Sequence, residues 1–196
     1  MRSVFLTTLI SLTTLLSYGQ VKVVLHSVVG YGQNEAFARK AAAALEHVLN
    51  SDEFKRKVLD TTFIKTKGYT NQQLYDRIIK AHEVQGEGGQ DGVVDLRART
   101  LRVDGDESNW KNNCEGSTLG IDGTGDGVTA VCPNKLQTWV TQNELNELAG
   151  HYAHEYMHIL GFDHRNMLRG QKWREKTFVY VIGNIVSDLV EGEIVR

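Results

Sequence analysis

The order of apolar and polar residues divides the chain into short strands and amphipathic helices. Residues 21–29 (VKVVLHSVV) are rich in β-branched side chains, which predicts a buried first strand. Residues 34–49 repeat apolar side chains at helical spacing, and the alanine run 41–44 favours close packing of that helix on a sheet. Residues 52–59 predict either an extension of this helix or a second short one.

A second group of elements is predicted between residues 62 and 103. Residues 62–67 have the character of a short strand, and Thr70 is placed to cap a helix over residues 71–83. The glycines that follow predict a flexible loop. Residues 93–103 (VVDLRARTLRV) alternate apolar and polar side chains, as a half-exposed strand does.

A long polar stretch separates these elements from the C-terminal third. Residues 104–127 are rich in Gly, Asp and Asn, which predicts a loop. Residues 128–132 (VTAVC) predict another short strand, and Pro133 suits the edge or the end of such a strand.

Two helices are predicted to close the chain. Thr141 and Glu144 have the spacing of a capping box, which would begin a helix that runs to about residue 160. Residues 178–189 repeat apolar side chains at helical spacing and predict the final helix. The whole order predicts an α/β (α+β) domain, with a twisted mixed sheet, backing helices and a small C-terminal part.

The helix before residue 160 carries the chemically distinctive residues of the chain. His154 and His158 are four residues apart and therefore lie one turn apart on one helix face. Glu155 lies beside them, where it can reach a metal-bound water without being a ligand. Gly161 can adopt a positive φ, and the turn it permits would bring His164 back as a third nitrogen ligand.

Three protein nitrogens with one open position are typical of a catalytic zinc, whereas a structural zinc is closed by four protein ligands. Zinc makes hydroxide available at neutral pH, and a nearby carboxylate can accept the proton and pass it to a leaving amine. A helix with ordinary histidines and a coincidental glycine is the alternative. His151, one turn earlier, is expected to be a partly buried structural residue or to contact ligands or substrate.

Composition and the N-terminus indicate an exported protein. Arg2 followed by an apolar run predicts a signal peptide over residues 1–19, with a catalytic domain over residues 20–196. A buried N-terminal helix is the alternative. We therefore expect secretion or a periplasmic location, no stable membrane association and a monomer.

The charge and the cysteines narrow the functional class further. With 22 basic and 24 acidic residues the formal net charge is −2, which argues against a nucleic-acid partner. Cys114 and Cys132 form an even pair, which in an exported protein predicts one disulfide. Two free buried thiols are the alternative if the protein is not exported.

The stretch HEYMHILGFDH, residues 154–164, resembles the zinc-binding consensus H-E-x-x-H-x-x-G-x-x-H of the metzincin metallopeptidases. The resemblance implies a zincin-like fold with His154, His158 and His164 as zinc ligands and Glu155 as general base and acid. It also implies an antiparallel edge strand that pairs with extended peptide substrate, and residues 128–132 are the candidate strand.

Metzincins also have a methionine in a tight turn beneath the zinc, and this chain departs from that pattern. Met167 is the only methionine after His164 and follows it very closely. Either Met167 supplies the support, or residues 177–183 (TFVYVIG) fill the space, as in a small bacterial branch with an atypical turn. Tyr180 in that stretch is a candidate ligand of zinc or of the oxyanion, or else a core aromatic.

The long loop also contains a candidate calcium site. Asp122 and Asp126 flank a Gly-Thr-Gly segment like the first half of a calcium-binding loop, but no closing Glu follows. A solvated turn is the alternative.

The combined prediction is a secreted zinc endopeptidase that acts on peptide or protein substrates. Hydrolysis of a small amide or a cell-wall peptide, and a non-catalytic zinc-bearing module, are the alternatives.

Overall fold

A mixed sheet forms one layer of the fold in the computed structural model, which describes residues 20–84, 89–101, 114, 120–122, 127–164 and 171–194. Within these ranges the sheet has four strands, β1 (Lys22–Val29), β2 (Val93–Thr100), β3 (Gly120–Asp122) and β4 (Val128–Val131). They pair in the order β1, β2, β4, β3. Strands β1, β2 and β4 are parallel to one another, and β3 is antiparallel to β4. The chain is therefore a mixed α/β protein, as the sequence predicts.

The first strand lies at an edge of this sheet. In the described residues β1 pairs with β2 alone, and its side chains alternate between half-buried and exposed. Val24 is 37% exposed and Val29 is 61% exposed, so the prediction of a buried first strand is wrong. In the neighbouring strand β2, which lies inside the sheet, Val94, Leu96 and Ala98 are buried. A run of β-branched residues favours a strand but does not give its position in the sheet.

Three helices follow the order of the sequence prediction. A single 3-10 turn leads into α1 (Glu35–Leu49), whose alanine-rich face is buried. A separate helix, α2 (Asp52–Asp60), is capped by Ser51, whose hydroxyl oxygen accepts a hydrogen bond from the N–H of Phe54. Thr70 forms a complete capping box for α3 (Asn71–Ile79), which confirms the predicted cap.

Residues 62–67 do not form the predicted strand. Their only described β-type pairing is a single bridge between Ile64 and Thr177. Lys65 and Lys67 have φ angles of 62° and 54°, and such left-handed residues interrupt a strand. Residues 62–67 therefore form an irregular segment.

A helix that the sequence analysis missed precedes the motif helix. Pro133 is the first residue of α4 (Pro133–Gln142), a position where its missing N–H costs nothing. The predicted capping box is wrong, because Thr141 belongs to the last turn of α4. Asn143, in the left-handed conformation with φ 56°, ends α4 and allows α5 (Leu145–Ile159) to begin.

Helix α5 runs through the centre of the molecule. Every residue from 148 to 159 is buried except His154, which is half-buried. The hydroxyl of Tyr156 donates to the carbonyl of Ile78 at 2.7 Å, which ties α5 to α3. Helix α5 packs against α1 and against the final helix, α7 (Phe178–Ile194), which a short α6 (Gln171–Arg174) precedes.

Cys114 and Cys132 are joined by a disulfide, which links the end of β4 to the segment before β3. In the described part of the chain, no helix combines the length and the apolar character needed to cross a membrane.

Candidate metal centre

The end of α5 and the turn after it bring three imidazoles together. His154 and His158 lie one turn apart on α5, and His164 returns to them after the turn. Their candidate ligand nitrogens all lie within 4.8 Å of one another. The ring centroids are 5.2, 5.3 and 4.9 Å apart, with the rings tilted or edge-on to each other. In the described residues this is the one group of three or more such side chains placed to share a metal ion.

The turn that places His164 is a Schellman motif, which ends a helix with two paired hydrogen bonds. Gly161 has φ 87°, a left-handed conformation that glycine adopts without a Cβ clash. Its N–H donates to the carbonyl of His158 at 2.8 Å, and the N–H of Phe162 donates to the carbonyl of Met157 at 3.0 Å. The role predicted for Gly161 is therefore confirmed.

The orientation of His158 is set by the same turn. Its Nδ1 lies 2.8 Å from the carbonyl oxygen of Phe162, which can only accept a hydrogen bond. Nδ1 therefore bears a hydrogen, and Nε2 is the nitrogen that is available as a metal ligand. A backbone carbonyl on the second nitrogen is a usual arrangement for a metal-ligating histidine.

The imidazoles of His154 and His164 are neutral near pH 7. Burial, followed by the charges of the neighbouring histidines, holds the pKa of His154 well below its ordinary value. Burial, with His158 and Arg174 nearby, lowers the pKa of His164 to about 4. Neutral imidazoles are the form that binds zinc. Nδ1 of His164 is also buried without a hydrogen-bond partner, a lone polar atom that a metal ion or water would satisfy. The three side chains could therefore hold a metal ion that imidazole nitrogens bind.

Glu155 follows His154 directly in α5 and is 4% exposed. One of its carboxylate oxygens is 3.7 Å from Nδ1 of His151, one turn earlier on α5. Burial lowers the pKa of His151 to about 4, so this imidazole is neutral at pH 7. His151 is 6% exposed and packs beside Trp139, so it is more deeply buried than the partly buried residue that the sequence predicts.

Tyr180 contacts the cluster from the first turn of α7. Its ring centroid lies 4.5 Å from that of His154 and 4.9 Å from that of His164. The ring is half-buried and is not enclosed in the core. The segment around Tyr180 thus reaches two of the three histidines.

Two glycines that the sequence analysis passed over bring α7 close to His154. A Cβ on Gly183 would lie 3.0 Å from the carbonyl oxygen of Gly150 and 3.2 Å from Cβ of His154. A Cβ on Gly150 would lie 2.8 Å from the carbonyl oxygen of Gly183. Glycine inside a helical pattern, without a capping position, is the signal that could have identified them.

The predicted edge strand is corrected by the structure. Residues 128–131 form β4, which lies inside the sheet between β2 and β3, and the edge is formed by β3. β3 is only three residues long and lies in a glycine-rich stretch, so its hydrophobic pattern gives no signal.

Several predicted site residues are not placed by the structure. Asp122 ends β3, and its side chain is outside the described part of the protein. Asp126 and Met167 lie outside the described residues, as does the predicted signal peptide, residues 1–19.

Comparisons with known proteins add no family assignment. No protein-family model, curated protein or solved structure matches the chain. Functional inference therefore rests on the motif and on the geometry of its side chains.

Proposed function

We propose that the chain is an exported zinc endopeptidase of the metzincin type. One observation carries the proposal: candidate ligand nitrogens of three histidines lie within 4.8 Å of one another, at the end of a helix that also carries a buried carboxylate and in the turn that follows it. The disulfide between Cys114 and Cys132 agrees with export, since disulfides persist in oxidising compartments.

The proposed metal ligands are His154, His158 and His164. Zinc bound there would supply Lewis acidity, which lowers the pKa of water to about 7 and polarises a carbonyl group. Glu155 would accept a proton on its carboxylate and later donate it to the leaving amine. Tyr180, next to two of the proposed ligands, would donate a hydrogen bond from its hydroxyl to the developing oxyanion.

The proposed peptide site lies along β3. This strand is antiparallel to β4 and contacts α5, the helix that carries the histidines. An extended peptide can add to such a strand through main-chain hydrogen bonds. A mixed sheet, a central helix with two of the histidines and a C-terminal part that ends in α7 support the proposal.

The test compares two Glu→Gln variants on one helix. Wild-type protein should cleave a denatured protein substrate, lose activity with a chelator and recover it with zinc. Glu155→Gln should keep the zinc and lower the rate by a factor of about 10² or more, the range for a lost general base. Glu147→Gln, two turns earlier on α5, should remain active.

Each possible result discriminates between functions. Full activity of Glu155→Gln would contradict the mechanism. If the protein binds zinc but hydrolyses only small amides or cell-wall peptides, these compounds replace proteins as the proposed substrate class. Zinc binding with no hydrolysis of any substrate would indicate a zinc-bearing binding module.

A further inference from the structure

The main-chain N–H and the main-chain carbonyl oxygen of Phe162 both form hydrogen bonds at the proposed metal centre. Its N–H donates a hydrogen bond to the carbonyl of Met157, which ends α5. Its carbonyl oxygen accepts a hydrogen bond from Nδ1 of His158. The same residue therefore sets where the helix stops and how a proposed metal ligand is oriented.

The side chain of Phe162 is held in an aromatic cluster. Phe162 is 2% exposed, and its ring centroid lies 4.6 Å from that of Phe178 and 6.2 Å from that of Tyr69. The ammonium of Lys67 lies 5.8 Å from the centroid of the same ring. These contacts restrict the ring and hence the main-chain atoms attached to it.

The irregular strap formed by residues 62–69 ties this cluster to the start of α7. The N–H of Ile64 donates to the carbonyl of Lys176 at 3.2 Å, and the carbonyl of Ile64 accepts from Phe178 at 3.0 Å. Lys65 also forms an ion pair with Asp163, at 3.5 Å. The strap thus contacts both residues that follow Gly161 and the helix that carries Tyr180.

We propose that Phe162 is a positioning residue of the metal centre, and that the packing of its ring sets the metal affinity. The inference rests on the zinc site proposed above. No side-chain substitution removes the carbonyl oxygen, but a smaller side chain lets the turn shift and loosens the hydrogen bond that orients His158. Partners of the second nitrogen of a ligating histidine change metal affinity by about 10- to 100-fold when they are lost.

The test measures Zn²⁺ affinity of the full chain by competition with a chelating indicator, with the disulfide intact. Phe162→Leu is compared with Phe54→Leu, because Phe54 is fully buried in the same core, pairs with Tyr75 at 6.4 Å and lies in α2. We expect Phe162→Leu to weaken Zn²⁺ binding about tenfold. Phe54→Leu should bind as wild type does, although both variants unfold at lower urea concentration without metal.

A Co²⁺ spectrum gives a second measurement, because its visible bands depend on ligand geometry. We expect altered bands in Phe162→Leu and unaltered bands in Phe54→Leu. If Phe162→Leu does not fold, Tyr69→Leu carries the test. We expect its Zn²⁺ affinity to fall about threefold, because one aromatic contact of Phe162 is weakened.

Equal Zn²⁺ affinity in the wild type and Phe162→Leu (or Tyr69→Leu, if that variant carries the test) would overturn the inference and leave the zinc site standing. Equal losses in Phe162→Leu and Phe54→Leu would also overturn it, since general destabilisation would then be the cause. If the wild type binds no Zn²⁺, the proposed function and this inference both fail.

Discussion

The crossing of α5 and α7 predicts that Gly150→Ala destabilises the protein although alanine favours helices. A Cβ at residue 150 would lie 2.8 Å from the carbonyl oxygen of Gly183 and 2.9 Å from Cβ of Ser187. Both distances are shorter than real Cβ contacts, and neither neighbour is the flexible end of a long side chain. The helices must therefore separate to accept one methyl group.

The magnitude follows from two opposing effects. Replacing glycine by alanine inside a helix stabilises it by about 1 kcal/mol. Inserting a methyl group into a tightly packed contact costs about 1–3 kcal/mol, and a rigid backbone carbonyl places this site near the upper end. We expect the free energy of unfolding to fall by about 1–2 kcal/mol.

Gly192→Ala is the matched control, because Gly192 lies in α7 and a Cβ added there would meet nothing within 4 Å. It should raise the free energy of unfolding by about 0.5–1 kcal/mol. Urea unfolding followed by circular dichroism, with unchanged slope, measures both variants. If Gly150→Ala stabilises the protein as much as Gly192→Ala does, the close approach of the two helices is refuted.

The remaining predictions concern the motif turn, a buried carboxyl group and the disulfide. Gly161→Ala should cost about 1–2 kcal/mol and weaken Zn²⁺ binding, because φ is 87° and a Cβ would meet Val84 at 2.8 Å; unchanged unfolding and binding would contradict this. Burial raises the pKa of Glu83 from 4.5 to about 7, so between these values the folded state holds a proton that the unfolded chain has lost. The free energy of unfolding should therefore fall by about 1–2 kcal/mol from pH 4.5 to pH 8, and Glu83→Gln should remove this slope in a pH series of urea melts. Replacing Cys114 and Cys132 together by alanine should lower the free energy of unfolding by about 3 kcal/mol, as reduction of the wild type should; equal stability of the two forms would show that the disulfide does not contribute.

The local sequence determined the parts of the site that depend on neighbours along the chain. The spacing of His154 and His158 places both on one face of any α-helix, and Gly161 permits the turn that follows. The cap at Thr70 was predictable for the same reason, since Gln73 completes its hydrogen bonds within one turn. These features need only helix geometry and local backbone preferences.

Only the tertiary structure decided what surrounds the histidines. Nothing in the local sequence shows that Tyr180 reaches His154, or that Phe162 is fixed by Phe178 and Tyr69. Pro133 is compatible with a strand end and with the first residue of a helix, and the surrounding contacts selected the helix.

The sheet also has features that the local sequence determines and features that only the tertiary structure decides. The β-branched residues of β1 determined a strand, but the pairing partners decided that it lies at an edge and that β4 lies inside. Burial and strand order depend on contacts between residues far apart in the chain, and a pattern of neighbouring side chains carries no information about them. The sequence alone thus determined the proposed ligands, whereas the fold decided how they are held.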